Sequence, residues 1–502
     1  MFRETMALAV SLGLAAQGVE NLRGDVRFTG ERWRMPFAQE SMDLLGLQIH
    51  RTWRAGGYAG LGGWGAVRGE RGGFITLGFS GGWRFPLTDR LALDTGAWFG
   101  GGGAGRAAGG GGLMLRGHAG LSWDAGPARF GAEWSRVRFP NGRIESSQWA
   151  LTVALPFRAP LGTPGLHLNL DRVSTGAGLG PLGWEDVSMG FTAQRYAPAR
   201  TVKNLSGQVD TSGVGLTGLE VRLGLGKGEA FWILDLGAAA QGSADGYMEA
   251  LLGVGYGLAL DAEGHALLVG RLEGGPAGGG NLSVGGGMAW KGLLGLEARS
   301  SRGLFLNLSG GYLATPGGTF KGSLVQFEVG RRFQLALPGG GPASASDPVD
   351  FSGWSFRWGA QRLAAPQRRS GAEGEPIQLA SLQVTHELSS TWFFVGQGNF
   401  GLTGHAGGFA VGLIGLGWRS GPLLGAGPRL RVHAMTGAAG GGGVDTGGGL
   451  LVQPMAGLEQ DLGRGWSLQV MGGQQTAPKG RLRTSVAEAG LAWRFGLPER
   501  RR

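Results

Sequence analysis

Seven histidines, His50, His118, His167, His265, His386, His405 and His433, are the first residues to test for chemistry. A helix-borne zinc site needs two histidines four apart with a glutamate between them, and no such spacing occurs. Cysteine is absent, which excludes disulfides, thiolate metal sites and thiol nucleophiles. Glycine-rich stretches abound, yet none carries the Gly-Lys-Ser/Thr ending that grips a nucleotide phosphate. Residues 224–229 (GLGKGE) come nearest and lack the hydroxyl. No acid–base or nucleophile constellation emerges, so the sequence predicts no enzyme, no cofactor and no metal. The net charge of +10 is spread along 502 residues without a basic stripe or a recognisable RNA or DNA module, so no nucleic-acid partner is expected.

What does stand out is the placement of polar groups along alternating stretches. Across residues 216–225, Leu219, Val221, Leu223 and Leu225 share one face, while Glu220, Arg222 and Gly224 share the other. Near the end of the chain, Ala487, Ala489, Leu491, Trp493 and Phe495 alternate with Glu488, Gly490, Ala492 and Arg494. The polar faces are mostly Gly, Ala, Ser and Gln with sparse charges, as an enclosed or crowded surface would be. Candidates for the inward, lumen-facing set are Glu220, Arg222, Asp235, Glu249, Lys291, Glu297, Glu328, Gln397, Asn399, His433, Gln453, Glu488 and Arg494. His118 shares the inward parity; both it and His433 read as satisfied interior residues. Trp83, Phe85, Trp123, Phe157, Trp418, Trp493 and Phe495 stand at strand ends on the apolar face, as lipid-facing girdle residues do.

The elements that position these residues must be strands. Glycine contributes 106 residues and would weaken any long helix by about 1 kcal/mol at each position. Disorder fits poorly with 17 Trp and 23 Phe. No run of eighteen apolar residues marks a transmembrane helix. Self-comparison is more informative. An aromatic, a small pair, an acid or amide and an arginine recur at 28–33 (FTGERW), 191–196 (FTAQRY) and 358–363 (WGAQRL). Glycine clusters at 100–112, 274–287 and 437–449 each lead into a strand, and each unit closes on an apolar strand ending in Phe157, Phe333 or Phe495. These ordered landmarks predict three units of eight strands at 24–158, 185–337 and 351–495. Linkers occupy 159–184 and 338–350, and a basic tail occupies 496–502. In the third unit the strands are expected near 351–363, 376–388, 391–401, 407–419, 427–438, 446–460, 464–476 and 482–495. Residues 1–16 read as a secretory signal peptide.

Within each unit the links after even-numbered strands are short and those after odd-numbered strands are longer, for example 197–214 and 364–375. With strands of about nine to eleven residues or more, this pattern resembles the bacterial outer-membrane β-barrel superfamily over the whole mature length. Such proteins commonly end on an aromatic; Phe495 matches, although residues 496–502 follow it. The resemblance implies an all-β, antiparallel up-and-down transmembrane barrel of about 24 strands, with both termini periplasmic. Outer-membrane lipid and the barrel-insertion machinery would be its partners. A single large barrel is favoured over three small ones, and the implied function is a pore or conduit that a plug or periplasmic partner protein fills. The alternatives are a structural or surface-interaction protein of sealed eight-stranded barrels, and a soluble glycine-rich β-protein. Arg32, Arg195 and Arg362, near the ends of the first strands, are candidates for binding a lipid phosphate or a luminal anion, and the preferred expectation is that they are rim cations snorkelling to the interface.

Overall fold

The computed structural model describes residues 18–36, 40–225, 228–371, 374–423, 425 and 427–501, so the signal-peptide stretch 1–16 lies outside the described residues. The first eight strands are β1 (Glu20–Trp33), β2 (Met42–Thr52), β3 (Gly57–Arg68), β4 (Ile75–Pro86), β5 (Leu91–Gly103), β6 (Met114–Asp124), β7 (Arg129–Arg138) and β8 (Glu145–Leu161). A short β9 (His167–Asn169) and helix α1 (Leu170–Ala177) follow. Next come β10 (Leu182–Pro198), β11 (Val214–Gly224), β12 (Ala230–Gln241), β13 (Met248–Ala259), β14 (Ala266–Gly278), β15 (Met288–Arg299), β16 (Leu304–Ala314) and β17 (Lys321–Pro338). The chain ends with β18 (Pro348–Leu363), β19 (Ile377–Glu387), β20 (Trp392–Gly401), β21 (Ala410–Pro422), β22 (Arg429–Gly440), β23 (Leu450–Gly463), β24 (Trp466–Thr476) and β25 (Arg483–Arg500).

Hydrogen-bond ladders decide how these strands close. β1 pairs antiparallel with β8 from Glu20↔Leu161 to Glu31↔Ala150, which completes a closed eight-stranded barrel. The remaining seventeen strands belong to one connected sheet. Inside that sheet β10 pairs with β17 from Leu182↔Pro338 to Pro198↔Gly322, and β18 with β25 from Val349↔Arg500 to Leu363↔Val486. Each of those runs therefore also returns to its own first strand. The two runs are joined by the pair Leu335↔Glu499, and β9, which precedes the first of them, lies along β18 of the second at Pro348–Asp350.

The expected single wide barrel of 24 strands is thus not what forms. There are 25 strands, and the arrangement is one separate barrel plus two barrels fused into a common sheet. The physical reason lies in the inner faces. A ring of eight strands has an interior that side chains just fill, and small inner residues let large ones lie across it. A Cβ at Gly78 or at Gly100 would stand 2.7 Å from the Trp98 indole, which occupies that space. At the end carrying the longer links (the loop end), each barrel is packed with apolar side chains. Trp33, Trp64, Phe74 and Phe139 fill the first, Tyr247, Leu251, Val284 and Phe320 the second, and Ile377, Phe409, Val444 and Leu451 the third. The loops fold inward to supply part of this packing.

The barrels also dock on one another at the loop end, in a fixed rotation. Gly73, Gly246 and Gly408 occupy matching positions just before the aromatic that enters the fourth strand of each barrel, at φ 85, 86 and 83°. A Cβ at Gly73 would lie 2.2 Å from Gly279 N of the second barrel, and one at Gly246 2.8 Å from Gly441 N of the third. One at Gly408 would lie 2.4 Å from Ala104 N of the first. Backbone bonds run across two of these joints: Gly72 N to Gly285 O at 2.9 Å and Gly408 N to Gly102 O at 3.2 Å. Across the remaining joint Arg369 and Thr446 of the third barrel bond Asp245 of the second. First holds second, second holds third, and third holds first. The opposite end, with the short turns (the turn end), is tied differently. There α1, capped by the Asn169 side chain on Arg172 N, buries Leu170 and Val173 with Trp184, Val349 and Phe351, against Val19.

This junction gives a test suited to a chain without cysteine. An Asp245→Cys/Arg369→Cys pair should be bridged readily by a short bis-maleimide in the otherwise wild-type protein. Adding Gly246→Val, which forces a side chain into a left-handed conformation costing roughly 1–2 kcal/mol and into the Gly441 backbone, should slow that crosslink severalfold. Gly264→Val, also at positive φ but with open space around it, should leave the rate unchanged. Equal rates in all three proteins would refute the junction.

Candidate functional site: the filled barrel interiors

Polar chemistry in this chain is concentrated below the apolar layers, inside the rings. The alternation of β11, β12, β13, β15 and β17 turns Glu220, Arg222, Asp235, Glu249, Lys291, Glu297 and Glu328 inward, where all are buried. Arg222 donates to Glu220 at 2.6 Å, to Glu297 at 2.5 Å and to Glu328. Arg271 reaches Glu220 at 2.5 Å and the Ser309 hydroxyl at 2.7 Å. Lys291 sits among Asp235, Glu249 at 3.0 Å and Glu273 at 3.2 Å. The Tyr196 hydroxyl donates to Glu249 at 3.1 Å, and that of Tyr247 at 3.2 Å. Charges removed from water must be neutralised and hydrogen-bonded in this way. The network spans the ring from wall to wall.

The third barrel uses amides where the second uses charges. Glu488 pairs with Arg357 and accepts from Gln361 at 2.7 Å and Gln397 at 2.9 Å, while Asn399 donates to Gln361 at 3.1 Å. Gln475 donates to Gln453 at 2.9 Å. His433 is buried, and among the described residues neither ring nitrogen has a hydrogen-bond partner. Arg494 lies at the turn-end rim, where it and Arg419 hold Glu387 at 2.6 and 2.7 Å. The first barrel holds a network of the same kind: Arg27 bonds Asp94 at 2.8 Å and Glu133 at 3.2 Å, and Arg116 bonds Glu133 at 2.6 Å. His50 bonds Asp25 at 2.9 Å, and Tyr58 donates to Asp94 at 2.8 Å. His118 lies beside the Tyr58 hydroxyl at 3.0 Å.

Sequence reasoning singled out only His118 from the first barrel and missed Arg271, Glu273, Arg357 and Arg431. The signal was present in β1, where Asp25, Arg27, Thr29 and Glu31 alternate with Val26, Phe28 and Gly30. Of the girdle candidates, Phe85 and Trp123 are exposed on the outer surface, while Trp83, Phe157, Trp418, Trp493 and Phe495 are half-buried there. Trp83 and Phe85 stack at 6.4 Å, as do Trp466 and Trp493. Outer faces are otherwise apolar: Trp149, Leu151, Leu272, Leu294, Leu296 and Leu308 are each more than half exposed.

Glu220, Asp235 and Glu273 bring carboxylate oxygens within 4.8 Å of one another, but the Lys291 ammonium and the Arg271 guanidinium already neutralise that group. Asp261, Glu263 and His265 cluster on an exposed turn. A cavity of about 340 Å³ lies at the turn end, lined by Arg419, Arg429, Arg464, Trp466 and Trp493 among others. Among the described residues no helix is long and apolar enough to cross a membrane.

Neither a family model nor a characterised protein matches the sequence. Solved structures that align are outer-membrane β-barrel proteins. The siderophore receptor PirA from Acinetobacter baumannii aligns at 10% identity and TM-score 0.28, over 96% of this chain and 81% of that one. A ferric enterobactin receptor mutant from Pseudomonas aeruginosa in complex with enterobactin aligns at 11% and 0.27, over 96% and 82%. OpdQ from Pseudomonas aeruginosa aligns at 8% and 0.20, over 96% and 98%. Likeness at this level carries no argument about what the present chain does.

The interior networks make a direct prediction for stability. Lys291→Met leaves Asp235, Glu249 and Glu273 buried without their shared cation, and breaking such a group costs roughly 3–5 kcal/mol. Urea unfolding in detergent should show that loss at pH 7. Glu145→Gln, at an exposed pair with Arg136, should leave the unfolding midpoint unchanged. Equal, small effects of both would show that the interior pairs do not hold the barrel.

Proposed function

We propose that the chain is an integral outer-membrane protein whose barrels are sealed, and that it acts as a structural or surface-interaction element rather than as an open pore. One observation carries this reading: side chains bridge each ring, with apolar packing at the loop end and hydrogen-bonded charges below it. An eight-stranded ring filled in this way leaves no continuous water path. Apolar outer faces with aromatics near the strand ends support the membrane setting, since a soluble barrel would need polar groups there. Link lengths support an orientation with the turn end, and both described chain ends, in the periplasm. A conduit would require the Arg222–Glu328 or Arg357–Glu488 pairs to part and the apolar layer to move. That would leave buried charges without partners.

Lipid is the partner that the outer faces fit. The exposed loop segments, including residues 203–209 and 368–371, are the surface available to a protein partner. Purified protein in planar bilayers should give no sustained conductance above background across 150 mV of either sign. Stable stepwise channels from the wild-type protein would overturn the sealed reading and restore the pore.

A further inference from the structure

We infer that the loop end carries a one-sided collar of outward cations that binds lipid headgroups whose phosphate leaves them net anionic, in the leaflet it enters. This inference rests on the membrane reading above and names a partner for it.

Arg32, Arg195 and Arg362 stand at matching register positions on β1, β10 and β18. In each case the preceding inward residue (Glu31, Gln194 or Gln361) is buried, while the arginine itself is exposed on the outer face. Lys321 and Arg483 join them on β17 and β25, which pair with β10 and β18, and Arg136 and Arg138 on β7, one strand beyond the β8 that pairs with β1. The carboxylates on those same faces are Asp43, which holds Arg32, and Glu145, which holds Arg136. Arg195, Lys321, Arg362 and Arg483 make no ion pair or side-chain hydrogen bond among the described residues. At the turn end, by contrast, outward Arg51 and Arg331 are paired with Glu20 and Glu499. At outward positions on the strands themselves, positive charge without a protein partner is therefore concentrated at the loop end; the turn-end cations Arg54, Arg90 and Arg302, also unpartnered among the described residues, lie on the turns beyond the strands.

Its height on the barrel is also informative. Trp134 and Trp149 form an edge-to-face pair at 5.6 Å on the outer face of the first barrel. Arg136 and Arg138 follow Trp134 on that face, roughly 7 and 13 Å further along the strand. Indoles settle at the boundary of the hydrocarbon, so cations one and two steps beyond them stand at headgroup level. A guanidinium there matches a phosphate monoanion in charge and in hydrogen-bond geometry. Snorkelling to water alone would not favour one end of the barrel over the other.

The test uses the full chain reconstituted in phosphatidylcholine vesicles with spin-labelled lipids. Protease protection and flotation first report insertion; a protein that fails to insert sinks the membrane reading and the inference with it. With insertion established, spin-labelled phosphatidylglycerol should be immobilised at least about threefold more strongly than phosphatidylcholine at low salt, and the preference should fall in 1 M NaCl. The variant Arg138→Gln/Arg195→Gln/Lys321→Gln/Arg362→Gln/Arg483→Gln should lose the preference while still inserting. Arg51→Gln/Arg331→Gln should keep it. Equal immobilisation of both lipids by the wild-type protein overturns the inference, as does a preference that survives the fivefold variant. If that variant does not fold, the wild-type salt dependence decides alone. Binding of inorganic phosphate without any lipid preference assigns the collar to soluble anions and overturns the lipid partner.

Discussion

The interior of an eight-stranded ring is too narrow for bulk water, and most features of this chain follow from that limit. Any side chain pointing inward must be apolar and packed, or polar and matched. Where a cation such as Arg222 enters, carboxylates arrive from β11, β15 and β17 to meet it. Where Trp98 crosses the ring, Gly78 and Gly100 give it space. The glycine content, unusual for any soluble fold, is in part the complement of large residues that would not otherwise fit.

Much of the architecture was legible before any coordinates, for reasons of local geometry. Alternation with a period of two fixes which residues share a face, so the inward placement of Glu220, Arg222 and Glu488 could be read directly. Strand positions in the last third agree closely, as with 464–476 against Trp466–Thr476. Closure was not legible. Whether β8 turns back to β1 or runs on to a ninth long strand depends on a ladder between segments more than a hundred residues apart. Nothing in the alternation of either strand encodes that partner. The joining of the second and third barrels at Leu335↔Glu499 and the lie of β9 along β18 were equally hidden, since a single pair and three residues in a turn-rich stretch carry no periodic signal.

Candidate-site residues divide along the same line. Single inward charges were found wherever one strand was read clearly. Their partners were missed where the strand is dominated by other features, as with Arg271 and Glu273 beside a glycine cluster. The first barrel was under-read because its girdle tryptophans drew attention to its outer face. Arg32, Arg195 and Arg362 were read together as rim cations; how they stand relative to the other outward cations needs the register of all three closures.

The rotation of the loop-end contacts bears on how the chain is made. In a head-to-tail ring every subunit offers one half of a joint to the next and accepts the other half from the one before. Here the subunits lie on one chain, so the half that the first barrel must receive, around Gly408, is encoded near the C-terminal end. The first barrel can complete its own ladder early, yet its seat beside Gly102 and Ala104 stays vacant until the third has formed. Assembly thus has a step that no single barrel can take, because closing the ring of joints requires all three.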